Sequence, residues 1–162
     1  SIGRMRLMGY LRALQEWGIE PDEGLICYMN PKLPSYSMEN GYVLTRQLLD
    51  EGKEFTAVFA FSDTMAVGAC RAIAEAGKRI PQDYSVAGFD GIELCSYYNP
   101  TLTTIRQPIT RFFRENCWNR NRRGRCKESE LRRVQVNCGN MLPVDILRKN
   151  IYNTNGRVIF LI

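Results

Sequence analysis

Two carboxylates and a hydroxyl stand where apolar runs stop. Ser62 and Asp63 follow the run TAVFAF, and Asp90 follows YSVAG by two residues. If the runs are strands of an open α/β sheet, these residues lie at the carboxyl ends, outside which ligands bind in such sheets. The polar loop of residues 30–37, with two prolines, can reach the same rim. An Asp beside an aromatic ring can hydrogen-bond hydroxyls while the ring covers an apolar face. That suits a small polar ligand such as a sugar or a nucleobase. Each residue also has a plainer reading. Asp63 is most simply a helix N-cap, Asp90 followed by Gly91 a turn, Arg6 a solvated charge on a helix, and Tyr36 a ring packed on its own loop.

The residue inventory argues against an enzyme. The chain has no histidine for acid–base work, no nucleophile elbow and no phosphate-binding loop. The segment Gly88-Phe-Asp-Gly91 lacks dinucleotide-binding spacing, and Glu23, Glu51, Glu54, Glu75 and Glu93 do not pair two carboxylates for hydrolysis. No cofactor or metal is expected. Cys27, Cys70, Cys95, Cys117, Cys126 and Cys138 form no C-x-x-C pair, so they read as reduced, mostly buried cytosolic thiols. A disulfide-bonded secreted protein is the alternative.

The elements that must position the rim follow from periodicity. Leu7, Tyr10, Leu11, Leu14 and Trp17 recur at helical spacing and predict a helix over residues 5–17, closed by Gly18. Residues 25–29 read as a short strand, and Ser37 caps a helix through Leu49. TAVFAF predicts a strand buried on both faces, followed by a helix over 64–76 that Gly77 ends. Residues 84–88 and 102–105 are further strands, with a polar, aromatic loop between them. This alternation implies an α/β fold, an open, mostly parallel sheet with flanking helices and right-handed crossovers.

Past Pro108 the pattern breaks. Residues 111–133 hold nine Lys or Arg against three Asp or Glu, an excess larger than the whole chain's +5. The patterned part is therefore near neutral and carries no electrostatic footprint for DNA. The basic stretch has no apolar period and is expected to stay mobile, as is the tail after Asn150. Residues 142–147 (LPVDIL) read as a strand, and the apolar residues 158–162 have no assigned role. With 44% apolar and 24% charged residues, the chain reads as a soluble globular protein. It shows no membrane span or signal peptide and is expected to begin inside a longer protein.

Four segments together resemble the lac-repressor (LacI/GalR) family of transcriptional regulators. They are Arg6-Leu-Met-Gly-Tyr-Leu-Arg-Ala-Leu14, the run from Ala57 through Ser62-Asp63-Thr-Met-Ala66-Val-Gly68, the run Gly77 to Asp90, and Pro100-Thr-Leu-Thr-Thr-Ile-Arg-Gln-Pro108. The resemblance implies a periplasmic-binding-protein-like (type I) fold. Residues 1–108 would be the C-terminal lobe of an effector-binding domain, 109–141 an atypical basic segment, and 142–162 a terminal strand and tail. It implies a small-molecule effector bound by Arg6, Tyr36, Ser62 and Asp90. It further implies a cytoplasmic repressor that pairs as a homodimer through this lobe, and operator DNA bound only through an N-terminal helix-turn-helix absent from this sequence. A sugar-binding protein of an ABC-type transporter would share the fold, but the TTIRQP and S-D-x-x-A-x-G segments favour the regulator. Family-like sequence on both sides of residues 110–141 suggests a paired frameshift or an insertion there.

Overall fold

The computed structural model describes residues 2–107, 135–137 and 158–161. The expected strand at 142–147 and the whole basic stretch of residues 111–133 lie outside the described residues.

The helices begin and end where capping chemistry dictates. Helix α1 spans Ile2–Glu16, α2 Met38–Asp50 and α3 Asp63–Glu75. The Ser37 hydroxyl accepts from the Asn40 amide (3.1 Å) to start α2, and Ser62 accepts from the Met65 amide (3.2 Å) to start α3. All three helices close on a glycine at positive φ, namely Gly18, Gly52 and Gly77. The next amide in each case returns to a carbonyl five residues earlier, as in Lys78 to Ile73 (3.1 Å). A side chain at those positions would strain the backbone.

A six-stranded sheet lies against these helices. Its strands are β1 (Ile26–Cys27), β2 (Ala57–Ala60), β3 (Ser85–Asp90), β4 (Thr103–Arg106), β5 (Gln135–Asn137) and β6 (Val158–Leu161), arranged in the order β1-β6-β2-β3-β4-β5. All pairings are parallel except β4 with β5. A four-residue helix, α4 (Leu94–Tyr97), interrupts the loop expected after β3. The strand read at 25–29 is shorter than expected, because the Asp22 carboxylate caps a 3-10 turn over Glu23–Leu25 first.

Two expectations need correction. The tail after Asn150 was expected to be loose, yet β6 stands between β1 and β2, with Phe160 and Leu161 fully buried. An apolar run of four residues can hold the middle of a sheet only when both neighbours complete its hydrogen bonds, and β1 and β2 do so. The second correction concerns β2. Val58 and Ala60 are buried, while Ala57 and Phe59 are only half-buried, so one face is sealed by α2 and α3 and the other is thinly covered.

The sealed face depends on two glycines. A Cβ on Gly68 would meet the Met38 carbonyl oxygen at 1.9 Å, and one on Gly41 the Met65 carbonyl oxygen at 2.0 Å. The backbones of α2 and α3 therefore cross almost in contact. Gly68→Ala should lower stability by about 1–3 kcal/mol or more, because the helices must part. Gly9→Ala on α1, where nothing lies within 4 Å, should instead add about 0.5–1 kcal/mol through helix propensity. Urea midpoints of the two variants measure both effects, and equal shifts would contradict the close crossing.

Candidate functional site

The carboxyl ends of β2, β3 and β4 meet the loop after β1 and the inner face of α1. Arg6 reaches from α1 into this junction. Its guanidinium lies over the Phe61 ring (4.1 Å to the centroid) and the Phe89 ring (3.8 Å). Such stacking favours a guanidinium over an ammonium. Arg6 donates to the Phe61 carbonyl and, at 3.4 Å, to the Asp90 carboxylate. The side chains of Arg6 and Asp90 keep 15% and 30% of their surface exposed, so the pair is reachable from outside.

Asp90 is held at φ 120°, a conformation L-residues seldom adopt. Gln107, just past β4, donates its amide N–H to the same carboxylate oxygen at 2.6 Å. Asp90 ends β3, paired in register with Arg106. Gly91 then takes the bend, where a Cβ would lie 2.7 Å from Arg106. Burial, with a smaller contribution from the nearby Asp63 charge, pushes the Asp90 carboxyl above its ordinary value, although Gln107 and Arg6 pull it down. A 3.4 Å ion pair with Arg6 is too long to offset the loss of water.

Asp63 is not the helix cap. Ser62 fills that position, and Asp63 lies in the first turn of α3 with no exposed surface. Its carboxylate accepts from the amides of Gly91 (2.7 Å) and Ile92 (2.9 Å) and from the Thr104 hydroxyl. This ties α3 to the turn after β3 and to β4. Gly88 makes room for it, since a Cβ there would stand 2.3 Å from the carboxylate.

Tyr36 has φ 57° and stacks its ring on Phe61 (centroids 4.7 Å apart, 19° between planes). Its carbonyl accepts from the hydroxyls of Ser62 (3.3 Å) and Thr64. The Ser62 hydroxyl is thus engaged by the protein, with Thr64 a further partner at 2.8 Å. Buried Asn40 holds the Tyr36 loop, accepting from the Asn30 amide (2.8 Å) and donating to the Pro34 carbonyl (2.9 Å). Arg6, Tyr36, Ser62 and Asp90 therefore come together. Sequence reasoning passed over Phe61, Phe89, Gln107 and Asn40 as site residues. Phe61 reads as an ordinary strand residue and Phe89 as the first residue of the loop after the strand at 84–88, and nothing in the spacing marks Asn40.

The wall so formed offers a cation, a carboxylate, an amide and a ring on one surface. It can hydrogen-bond vicinal hydroxyls and cover a flat apolar face. Among the described residues, no group of three or more His, Cys, Asp or Glu could hold a metal ion, and no helix is long and apolar enough to cross a membrane. Among the described residues, Cys27, Cys70 and Cys95 form no disulfide. Burial pushes the Cys70 thiol up to about 12.

A carboxyl raised by burial fixes the sign of a pH effect. The folded state binds the proton more tightly than the unfolded chain. Asp90 therefore favours folding below its ordinary value of 3.8, and that contribution is lost as pH rises through the raised folded value. Asp90→Asn removes the titration and keeps an acceptor for Gln107. The stability of Asp90→Asn relative to the native chain should increase from pH 3 toward neutrality and then level off, by about the range of a single titrating group. Urea midpoints against pH measure this, and a difference that is flat or falls with pH would contradict it.

Comparison with known proteins places the wall in a family. Residues 1–117 match the periplasmic binding protein-like domain. The HTH-type transcriptional repressor PurR of Vibrio atlanticus is 42% identical over 106 residues, which are 65% of this chain and 30% of that protein. A sugar-binding transcriptional regulator of the LacI family from Escherichia coli, complexed with phosphate, superposes with a TM-score of 0.73 at 29% identity, covering 85% of this chain and 49% of that one. A LacI-family regulator from Enterococcus faecium with bound ribose superposes with a TM-score of 0.65 at 33% identity, covering 84% and 50%. The chain spans less than a third of the curated relative and about half of the solved ones. It belongs to the periplasmic binding protein-like domain family, and the relatives and solved structures it resembles are transcriptional regulators.

Proposed function

We propose that this chain is the effector-sensing part of a DNA-binding transcriptional repressor. The observation that carries the proposal is the Arg6–Asp90 pair between aromatic rings at the carboxyl ends of β2 and β3. The effector is a small polar molecule, a sugar or a nucleoside-like compound. Asp90 accepts from its hydroxyls, Arg6 donates to its oxygens, and Tyr36 covers its apolar face. Ser62 supports the floor, capping α3 and fixing the Tyr36 carbonyl. The ribose seen in the Enterococcus faecium regulator supports this ligand class.

The lobe closes only one side of the ligand. In the longer protein a second lobe covers the other side, and ligand binding favours one arrangement of the two lobes. That difference is passed to a helix-turn-helix that contacts the operator, as the HTH-type name of the Vibrio relative suggests. Two copies pair through this lobe, and the protein works in the cytoplasm. It catalyses no reaction, since the wall holds no nucleophile beside a base. The transporter-protein reading shares the fold but is not supported by the relatives, which are regulators.

Calorimetric titration of the full-length protein with D-ribose, lactose and adenosine tests the proposal. Whichever compound binds should lose about tenfold to a hundredfold in affinity on Asp90→Ala, the worth of a charge-assisted hydrogen bond, while operator binding in its absence stays intact. Unchanged affinity in Asp90→Ala would show that the ligand lies elsewhere. The chain alone should bind the same compound at about millimolar strength, with one wall in place of two, and should not retard operator DNA specifically at physiological salt.

A further inference from the structure

The cation of the wall rides on α1, which meets the sheet through Arg6 itself and through Tyr10. Among the described side chains of α1 none is fully buried, and Met5 and Met8 on the outer face are exposed. The aromatic hold on its inner face is the Tyr10 ring, stacked on Phe160 with centroids 4.7 Å apart and 7° between planes. Arg6 and Tyr10 are four residues apart, so they share one face of the helix. What fixes Tyr10 therefore fixes Arg6.

Phe160 is a firm base for that stack. It has no exposed surface, it belongs to a strand paired on both sides, and its ring rests on Phe59 at 5.4 Å. The same strand reaches the wall by a second route. The Phe61 amide donates to the Leu161 carbonyl at 2.9 Å. Phe61 in turn provides a ring under Arg6 and a carbonyl that accepts from it. One strand thus sets both the helix behind Arg6 and the ring beside it.

We propose that β6 is the positioning element of the candidate site, and that the Tyr10–Phe160 stack determines where Arg6 stands. The inference rests on reading the Arg6–Asp90 wall as the ligand face. Phe160 touches no ligand and is a positioning residue. It lies 154 positions beyond Arg6, so the far end of the chain controls the geometry of a residue near its start.

Amide exchange and arginine side-chain NMR on the ligand-free chain test this, comparing Tyr10→Leu, Tyr10→Phe, Phe160→Leu and the double Leu variant. Either Leu substitution should speed exchange of the α1 amides from Leu7 to Leu14 on the order of tenfold, the weight of one aromatic pair. It should also release the Arg6 guanidinium N–H signals, while Val58 and Val86 keep their protection. Tyr10→Phe keeps the ring and should behave as the native chain. The double variant should be no worse than either single one, as expected of two residues acting through one contact. Because Phe160→Leu can also loosen the core, Tyr10→Leu decides. If it leaves Arg6 and the α1 amides unchanged, or if Val58 and Val86 lose protection equally, the proposal is overturned. No ligand enters this readout, so its failure is distinct from a failure of the sugars or adenosine to bind.

Discussion

A carboxylate with no exposed surface must be satisfied where it lies, and the geometry of this lobe follows from how Asp63 is satisfied. Two amides and a hydroxyl converge on it from the turn after β3 and from β4. The turn at Gly91 is therefore pinned to the start of α3, and Asp90, one residue earlier, is fixed at the sheet edge with its unusual φ. The Gln107 side-chain amide donates to the Asp90 carboxylate, and the Gln107 backbone N–H donates to the Asp90 carbonyl. Replacing Asp63 by an apolar residue would take this acceptor from the Ile92 amide and the Thr104 hydroxyl, each such loss costing about 1–3 kcal/mol. The shape of the wall follows from that single buried side chain.

Asp90 contrasts with its neighbour. It is half-covered, its ion pair with Arg6 is long, and its carboxyl is raised by burial. On the proposed function, a polyol that donates to Asp90 would gain from a carboxylate already partly stripped of water. The two carboxylates differ in role because three donors face one of them from within the chain and the other looks out of the sheet edge.

Much of this was legible in the sequence. The segment Ser62-Asp63-Thr-Met-Ala66-Val-Gly68 announced a strand–helix junction. Each of its marked residues has a physical duty: the cap, the buried staple, the small residue at the sheet and the glycine that lets α2 approach. The closing glycines of α1, α2 and α3 were readable for the same reason, since left-handed residues at helix ends select glycine. Long-range facts were not readable. Asp63 looks like a cap because caps are local, whereas its true partners lie 28 to 41 positions away. The place of β6 was hidden because four apolar residues carry no mark of which strands will flank them. Phe61 looked like strand core and Phe89 like a loop residue, and both rings lie against a cation.

The central claim is that the small polar ligand sits on the Arg6–Asp90 wall. The most direct measurement is NMR shift mapping of the chain with a compound that binds the full-length protein. The account predicts the largest shifts at the Arg6 guanidinium and at the amides of Gly91 and Gln107. The hollow at the opposite end of β2, lined by Leu49, Lys53, Phe55, Thr56 and Tyr84, should stay silent. Largest shifts in that hollow, with Arg6, Gly91 and Gln107 unmoved, would contradict the account.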